Sequence, residues 1–275
     1  MPPMTPCRLN IQTSVLQIPR RDGTQRSYRP QVIRVEINRT SNEEIEVAVK
    51  KSILIVGASR GLGFALTEEF LTRDWNVVAT SRGSSSGLAR LQKQHPESLA
   101  LSTVEITDIA SLRALRERLT DRKFEVLFVT AGICKANELS PLQVEEKDFI
   151  DMMVTNALSP MRIIELFQDR VANDGVIAAM SSEIGSITNS TGFWELYSSS
   201  KAALNMLMKS FAAHHPNNPH ALLLIAPGWV KTDMGTQDAI LEISDSIPLV
   251  ADLVERSAGA RGVRFVDRHG KTIPW

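Results

Sequence analysis

The chain has 275 residues with 31 basic and 31 acidic side chains, so its formal net charge is zero. This balance excludes the general electrostatic affinity for nucleic acid or for an acidic membrane surface that strongly basic chains have. The two cysteines, Cys7 and Cys134, lie far apart without metal-ligand spacing, which indicates a reducing compartment and no metal site. Because no apolar run is long enough to span a bilayer, we expect a cytoplasmic protein.

Residues 1–49 differ in composition from the sequence that follows. Proline interrupts this segment five times, and up to Thr40 it carries seven arginines but only two acidic residues, Asp22 and Glu36. Such a composition favours a disordered N-terminal extension or upstream sequence included by a wrongly assigned start. It is also compatible with a transit peptide for import into an organelle. Alternating apolar positions from Arg34 to Val49 allow a strand within it.

A strand, a glycine turn and a helix follow one another from residue 52. Ser52–Val56 is a nearly continuous apolar run, typical of a parallel strand that is buried on both faces. Gly57, Gly61 and Gly63 come directly after it, and an amphipathic helix is predicted from Leu62 to Arg73. Glycines let backbone N–H groups approach a pyrophosphate at a helix N-terminus, so this context indicates a dinucleotide site rather than a tight turn without a ligand.

The second predicted strand, Asn76–Thr80, ends where dinucleotide-binding enzymes distinguish NAD from NADP. An NAD site normally has a carboxylate there for the ribose 2′-hydroxyl, whereas a 2′-phosphate requires cations. This chain has Ser81 and Arg82 at that point, and Arg60 lies in the glycine turn. Two guanidiniums without an acid predict that NADP(H) is preferred over NAD(H).

Helices and strands continue to alternate along the chain. Further strands are predicted at 99–104, 126–129, 175–180, 221–226 and 263–266. Further helices are predicted at 88–94, at 109–119 after a Thr107 or Asp108 cap, around Asn156 up to about Val171, from about Tyr197 to near Pro216, and at 249–256. This alternation predicts an α/β fold over residues 50–275, with a single Rossmann-type doubly wound parallel sheet and helices on both faces.

Tyr197 and Lys201 lie four residues apart in a predicted helix, so the phenol and the ammonium share one helix face. An unperturbed tyrosine has a pKa near ~10, and a fixed positive neighbour is expected to move that pKa towards neutrality. The pair is therefore a candidate acid–base catalyst. The same spacing also occurs on ordinary solvated helix faces, so its meaning depends on the residues around it.

Two further polar side chains, Ser182 and Asn156, are candidate site residues. In isolation, a serine at a strand end is a common turn residue, and an asparagine among apolar residues usually satisfies its own backbone. Ser182 follows the strand Gly175–Met180 at its C-terminal end, where open α/β sheets bind ligands. Asn156 lies among apolar residues, within or just before a helix. The segment from Ser182 to the tyrosine contains Phe193 and Trp194, which either shape a substrate or partner surface or pack locally.

The order of these motifs resembles that of the short-chain dehydrogenase/reductase family. The G-x-x-x-G-x-G turn, Ala131-Gly132, the asparagine, the serine, Tyr-x-x-x-Lys and Pro227-Gly228 each follow the expected element. Val129 and Thr130 replace two asparagines that the family usually has, which puts their bracing of the sheet in doubt. The ending at 267–275, with a glycine turn and a Pro-Trp tail, is similar to that of C-factor-like proteins and sniffer-type carbonyl reductases.

The resemblance implies a role for each candidate residue. Tyr197 would protonate a carbonyl oxygen that Ser182 holds. Lys201 would lower the pKa of the tyrosine and position the nicotinamide ribose, and Asn156 would support a proton relay through a helix kink and a water. The implied cofactor-binding residues are Gly57, Ser59, Arg60, Gly61, Leu62, Gly63, Arg82, Glu105, Ile106, Ala131, Gly132, Tyr197, Lys201, Pro227, Gly228, Val230 and Thr232. Of these, Glu105 stands where the family more usually has aspartate.

Together these residues predict an NADPH-dependent oxidoreductase that reduces a small ketone or aldehyde, or oxidises the alcohol. The resemblance further implies a homodimer or homotetramer, and the zero net charge predicts no nucleic-acid or membrane partner. The alternative is an NADP(H)-binding signalling or regulatory protein of C-factor type with little or no turnover. Intact serine, tyrosine and lysine argue against that alternative, because a protein that only binds the nucleotide has no need of them.

Overall fold

The computed structural model describes residues 32–35, 45–48 and 50–275. The chain divides into two compact units, Met1–Lys51 and Ser52–Trp275. In the first, strands β1 (Val32–Val35) and β2 (Ile45–Ala48) pair antiparallel, in the region where the alternation allowed a strand. The predictions of disorder, a transit peptide or a wrong start fall mostly on residues outside those described, and they stay predictions.

The second unit is built around one parallel sheet. Its strands are β3 (Ser52–Val56), β4 (Asn76–Ser81), β5 (Leu99–Thr103), β6 (Phe124–Val129), β7 (Val171–Met180), β8 (Ala221–Ala226) and β9 (Gly262–Asp267). They lie in the order β5-β4-β3-β6-β7-β8-β9, and every neighbouring pair is parallel. The order reverses direction at β3 and β6, which is where open sheets of this kind form a ligand crevice.

Helices cover both faces of this sheet. They are α1 (Gly61–Thr72), α2 (Ser86–Gln94), α3 (Ile109–Arg118), α4 (Glu146–Met153), α5 (Ser159–Phe167), α6 (Glu195–His214) and α7 (Ile247–Arg256). Along β3, Leu54 and Val56 join the core under α3, α5 and α6, whereas Ile53 and Ile55 join the core under α1, α2 and α7. Successive side chains of a strand point to opposite faces, which explains why β3 is apolar throughout and confirms the predicted fold class.

The chain between β6 and β7 differs from the long helix that the sequence predicted up to Val171. A π-helical turn, Val154–Leu158, separates α4 from α5, and β7 begins at Val171 rather than at Gly175. Asn173, Asp174 and Gly175 have the composition of a turn, but the strand carries them as an irregularity, because Phe124 pairs with Val171 and Val126 with Val176. No helix in the described part of the chain has both the length and the apolar character needed to cross a membrane.

Candidate active site

A cleft of about 780 Å³ opens at the C-terminal edge of the sheet. Residues that follow β3, β4, β5, β6, β7 and β8 line it, so six strands contribute to one site. The lining includes every residue predicted to contact the cofactor, namely Gly57, Ser59, Arg60, Gly61, Leu62, Gly63, Arg82, Glu105, Ile106, Ala131, Gly132, Tyr197, Lys201, Pro227, Gly228, Val230 and Thr232. Ser182 also lines the cleft, and Asn156 lies fully buried behind it.

At two positions of the glycine turn, Gly57 and Gly63, the surrounding atoms leave no room for a side chain. Gly57 has φ +102°, and a Cβ there would lie 2.6 Å from the backbone N of Ala131. A Cβ on Gly63 would lie 2.2 Å from the carbonyl oxygen of Gly57. Thr130 donates from its hydroxyl to the carbonyls of Val56 and Gly57, so it braces the turn across β6 and β3 despite replacing an asparagine.

The first turn of α1 fits an anionic group. The residue that precedes the helix, Arg60, makes no side-chain hydrogen bond to the N-terminal amides, and a Cβ on Gly61 would have only the Thr232 side chain within 4 Å. A helix N-terminus has unpaired N–H groups and a partial positive charge, which together suit a phosphate. The donors and the close packing at this turn therefore fit the pyrophosphate of a dinucleotide.

The two arginines near this turn have different partners. Arg60 Nη1 donates to Asp233 Oδ2 at 2.8 Å, and with side chains 69% and 77% exposed this pair is solvated. Arg82 lies exposed in the lining of the cleft and makes no ion pair or hydrogen bond within the described residues. Arg82 is therefore free to bind a 2′-phosphate, whereas Arg60 would have to leave Asp233 to do so.

Tyr197 and Lys201 both lie in α6 and are 8% and 3% exposed. Lys201 Nζ donates to the carbonyl oxygen of Met180 at 2.9 Å and lies 5.6 Å from the centre of the Tyr197 ring. Burial lowers the pKa of Lys201 to about 8. An amine with such a pKa holds its proton at neutral pH and releases it in mildly alkaline solution.

Burial raises the pKa of the Tyr197 phenol, so the net shift is opposite to the lowering expected from Lys201. The cause is that the phenol has lost its solvent, while the ammonium is directed to a backbone carbonyl. A Cys134 thiolate would raise the tyrosine pKa further, but burial also raises the pKa of Cys134 to about 11. At neutral pH the thiol is thus uncharged, and Tyr197 keeps its proton.

Asn156 lies in the π-helical turn and joins two parts of the site. Its Oδ1 accepts from Ile133 N–H at 2.8 Å, and its Nδ2 donates to Ile133 O at 2.7 Å and to Ser200 Oγ at 2.9 Å. A Cβ on Gly132 would lie 3.3 Å from Asn156 Oδ1 and 3.5 Å from Lys201 Nζ, so both polar atoms flank that glycine. Asn156 thereby fixes the turn after β6 against α6.

The serines at the end of β7 have different surroundings. Ser181 donates to Asn205 Oδ1 at 2.7 Å, and Asn205 Nδ2 donates in turn to Gly185 O. The Ser182 hydroxyl has no protein partner within the described residues. Ser181 therefore holds the strand end in place, and Ser182 has a hydroxyl available for a ligand.

The sequence profile described as short chain dehydrogenase matches residues 51–240. The chain belongs to this family. A short-chain dehydrogenase/reductase from Burkholderia multivorans with bound NADP is 45% identical, with a TM-score of 0.81, covering 82% of this chain and all of that one. The carbonyl reductase Sniffer of D. melanogaster is 26% identical over the same shares, with a TM-score of 0.73. The C-signal of Myxococcus xanthus is 33% identical over 60% of this chain and its own full length.

Membership makes the protein an oxidoreductase, and the Sniffer and C-signal likenesses agree with the branch suggested by the C-terminal ending. In this short-chain dehydrogenase, the C-terminal ending is hydrogen-bonded to the segment between Ser182 and Tyr197. The Trp275 carbonyl accepts from the N–H and the hydroxyl of Thr188, and the Pro274 carbonyl accepts from Ser186 Oγ. Pro274 and Trp275 therefore restrain the segment between Ser182 and Tyr197.

Sequence reasoning missed several residues that shape the cleft of this short-chain dehydrogenase. Trp229, Asp233, Lys135 and Asp151 all line it. Lys135 Nζ pairs with Asp148 at 2.8 Å and with Asp151 at 2.7 Å. No local pattern identifies Asp233 or Lys135, because the residues that pair with them lie in other segments. The position of Trp229 could be predicted, since it directly follows the Pro-Gly pair that the family resemblance placed at the cofactor.

Proposed function

We propose that the protein is an NADPH-dependent carbonyl reductase that reduces a ketone or aldehyde, or oxidises the corresponding alcohol. The observation that carries this proposal is that the hydroxyls of Ser182 and Tyr197 and the amine of Lys201 line the same cleft as the glycine turn. Similarity to an NADP-bound relative and to the carbonyl reductase Sniffer supports it.

The cleft offers a partner for each part of the nucleotide. The glycine turn would hold the pyrophosphate, Arg82 with Arg60 the 2′-phosphate, and Ala131-Gly132 the adjoining ribose. Glu105 and Ile106 would contact the adenine, and Thr232 the nicotinamide carboxamide. When bound, NADPH supplies a hydride to the carbonyl carbon, and the protein provides the proton and the positioning.

The chain's own residues would handle the carbonyl oxygen. Ser182 donates a hydrogen bond to that oxygen, and Tyr197 gives it a proton. The phenol of Tyr197 is protonated at neutral pH, as this step requires. The Lys201 ammonium then stabilises the phenolate that remains, and Asn156 holds the neighbouring backbone in place.

The likeness to C-signal favours a second candidate, an NADP(H)-binding regulatory protein with little or no turnover. A purified-protein screen of ketones and aldehydes that follows NADPH absorbance separates the two. Reductase function predicts NADPH oxidation that falls at least tenfold in Ser182→Ala. Tight NADPH binding with no oxidation by any carbonyl compound would instead support the regulatory role. The cytoplasmic location and the homodimer or homotetramer also remain proposals.

A further inference from the structure

Three aromatic side chains in the lining of the cleft, Phe193, Trp194 and Trp229, contact one another and form what we call the aromatic platform. Phe193 and Trp194 stack with ring centres 4.8 Å apart and planes 18° apart. Trp229 meets Phe193 edge-on at 5.7 Å and Trp194 edge-on at 6.3 Å. Phe193 and Trp194 come from the segment before α6, and Trp229 comes from the segment after β8, so two distant parts of the chain build one surface.

The aromatic platform lies beside the proposed proton donor. Trp194 meets the Tyr197 ring edge-on, with centres 6.1 Å apart and planes 86° apart. A substrate whose carbonyl oxygen reaches Tyr197 and Ser182 therefore has its substituents near these rings. A platform in this position contacts the part of the substrate that does not react.

Two rings of the aromatic platform, Phe193 and Trp229, keep part of their surface exposed. Phe193 is 43% exposed and Trp229 is 37% exposed, whereas the other phenylalanines are buried or partly buried. Exposed aromatic surface inside a concave site is typical of ligand contacts.

Hydrogen bonds hold the platform in a fixed shape. Trp229 Nε1 donates to Gly235 O at 2.7 Å, and Ser198 Oγ donates to Phe193 O at 2.7 Å. Trp194 adopts a left-handed conformation, φ +47°, at the start of α6, and its carbonyl accepts from Ser198 N–H. A surface that is already ordered loses little conformational entropy when a ligand binds.

The spacing of the rings decides how a ligand can use them. Ring centres 4.8 to 6.3 Å apart are in direct contact, so no group fits between them as it would in an aromatic cage. What remains available is the outer surface of Phe193 and Trp229, which suits an offset-stacked or edge-on aromatic ring.

We propose that the aromatic platform selects carbonyl substrates that carry an aromatic ring, with Phe193 and Trp229 as specificity-determining residues. This inference rests on the proposed reductase function, since it names the substrate class of the same cleft. It does not require any particular chain length between the ring and the carbonyl.

The test compares benzylacetone with its ring-saturated analogue, in which cyclohexyl replaces phenyl and the carbonyl is electronically unchanged. Wild-type protein should have a kcat/KM for benzylacetone about threefold to tenfold higher, the factor that one aromatic contact provides. Phe193→Leu and Trp229→Leu should each bring the ratio of the two kcat/KM values towards one. Ile187→Ala is the matched control, because Ile187 lies in the same segment, is 74% exposed and lies outside the cleft.

Binding of both ketones to the NADP⁺-loaded protein, measured by saturation-transfer NMR, gives a second readout that needs no turnover. Equal kcat/KM for both ketones, or a preference for benzylacetone that persists in both variants, would contradict the proposed selectivity of the aromatic platform. The reductase proposal would be unaffected. If neither ketone is reduced, the ratio of the two ketones' binding affinities decides whether the platform selects an aromatic ring. Selective binding of benzylacetone that both variants remove would support the platform while the reductase proposal fails, and unselective or absent binding would refute the platform as well.

Discussion

Lys201 Nζ lies 5.6 Å from the centre of the Tyr197 ring and donates its hydrogen bond to Met180 O at the end of β7. The amine thus lies between α6, which carries the phenol, and the end of β7, which Ser182 follows. Because both side chains are almost completely buried, their protonation depends on the protein rather than on solvent. This relationship connects the stability of the protein with its proposed chemistry.

The first prediction concerns pH and Lys201. Since burial lowers the pKa of Lys201 to about 8, the unfolded chain, with its ordinary value of 10.5, binds more protons between those two pH values. The contribution of Lys201 to stability is therefore present above pH 10.5 and is lost as the pH falls through 8. Between about pH 7.5 and 9.5 the free energy of unfolding of wild type should rise by roughly 2 kcal/mol relative to Lys201→Met.

Urea unfolding of both proteins without added nucleotide measures this difference. The raised pKa of Tyr197 does not interfere, because it affects stability only above the ordinary tyrosine pKa of about 10. A difference between the two proteins that stays constant over the window would show that Lys201 titrates normally.

The second prediction concerns the glycine turn. Gly57→Ala places a Cβ 2.6 Å from the Ala131 backbone at a φ of +102°, so β3 and β6 must move apart. We expect a loss of at least about 2 kcal/mol in the free energy of unfolding and a large loss of NADPH affinity. Gly83→Ala is the control. The Cβ added at Gly83 would have no neighbour within 4 Å, so this variant should change neither the free energy of unfolding nor the NADPH affinity. NADPH fluorescence titration and urea unfolding test both; normal affinity in Gly57→Ala would contradict the proposed approach of the turn to the pyrophosphate.

The third prediction concerns the ion pair between Arg60 and Asp233. If Arg60 binds the 2′-phosphate, Asp233 competes for it, and an exposed pair of this kind contributes about 0.2–1 kcal/mol. Asp233→Asn should therefore tighten NADPH binding by up to about fivefold, without a comparable change for NADH. Asp238→Asn, an exposed change in the same loop and outside the cleft, controls for net charge. Equal tightening of NADPH and NADH would show that Asp233 acts on something other than the 2′-phosphate.

The fourth prediction concerns Asn156. Replacement by alanine leaves the partly buried N–H and C=O of Ile133 without their partners, which should cost about 2–4 kcal/mol of unfolding free energy. Asn173→Ala, on the exposed part of β7, should stay within about 0.5 kcal/mol of wild type. Urea unfolding compares them. A stable Asn156→Ala protein would mean that the asparagine does not fix the turn after β6.

Local sequence signals were sufficient for the sheet and for most of the cleft. Apolar strands, glycine turns and helix caps depend on neighbouring residues, which is why Ser52–Val56 was located with its correct bounds and Asp108 among the expected caps. Gly57 and Gly63 were recognised because only glycine tolerates their close backbone packing.

The features that the sequence did not predict depend on distant partners. Arg60 meets Asp233 across 173 residues, and Asn156 meets Ser200 across 44. The pKa of Tyr197 depends on burial, which spacing along a helix does not report, so the net shift of that pKa is upward rather than downward. The aromatic platform likewise forms only when Trp229 is brought to Phe193 by the fold.

The most direct test of the proposed function is Tyr197→Phe with any carbonyl compound that the wild type reduces. Removing one hydroxyl from a buried ring should leave NADPH binding largely intact, because the other predicted nucleotide contacts remain. If Tyr197 donates the proton to the substrate oxygen, turnover should fall about a hundredfold or more. Unchanged turnover in a variant that still binds NADPH would contradict the assignment of Tyr197 as the acid.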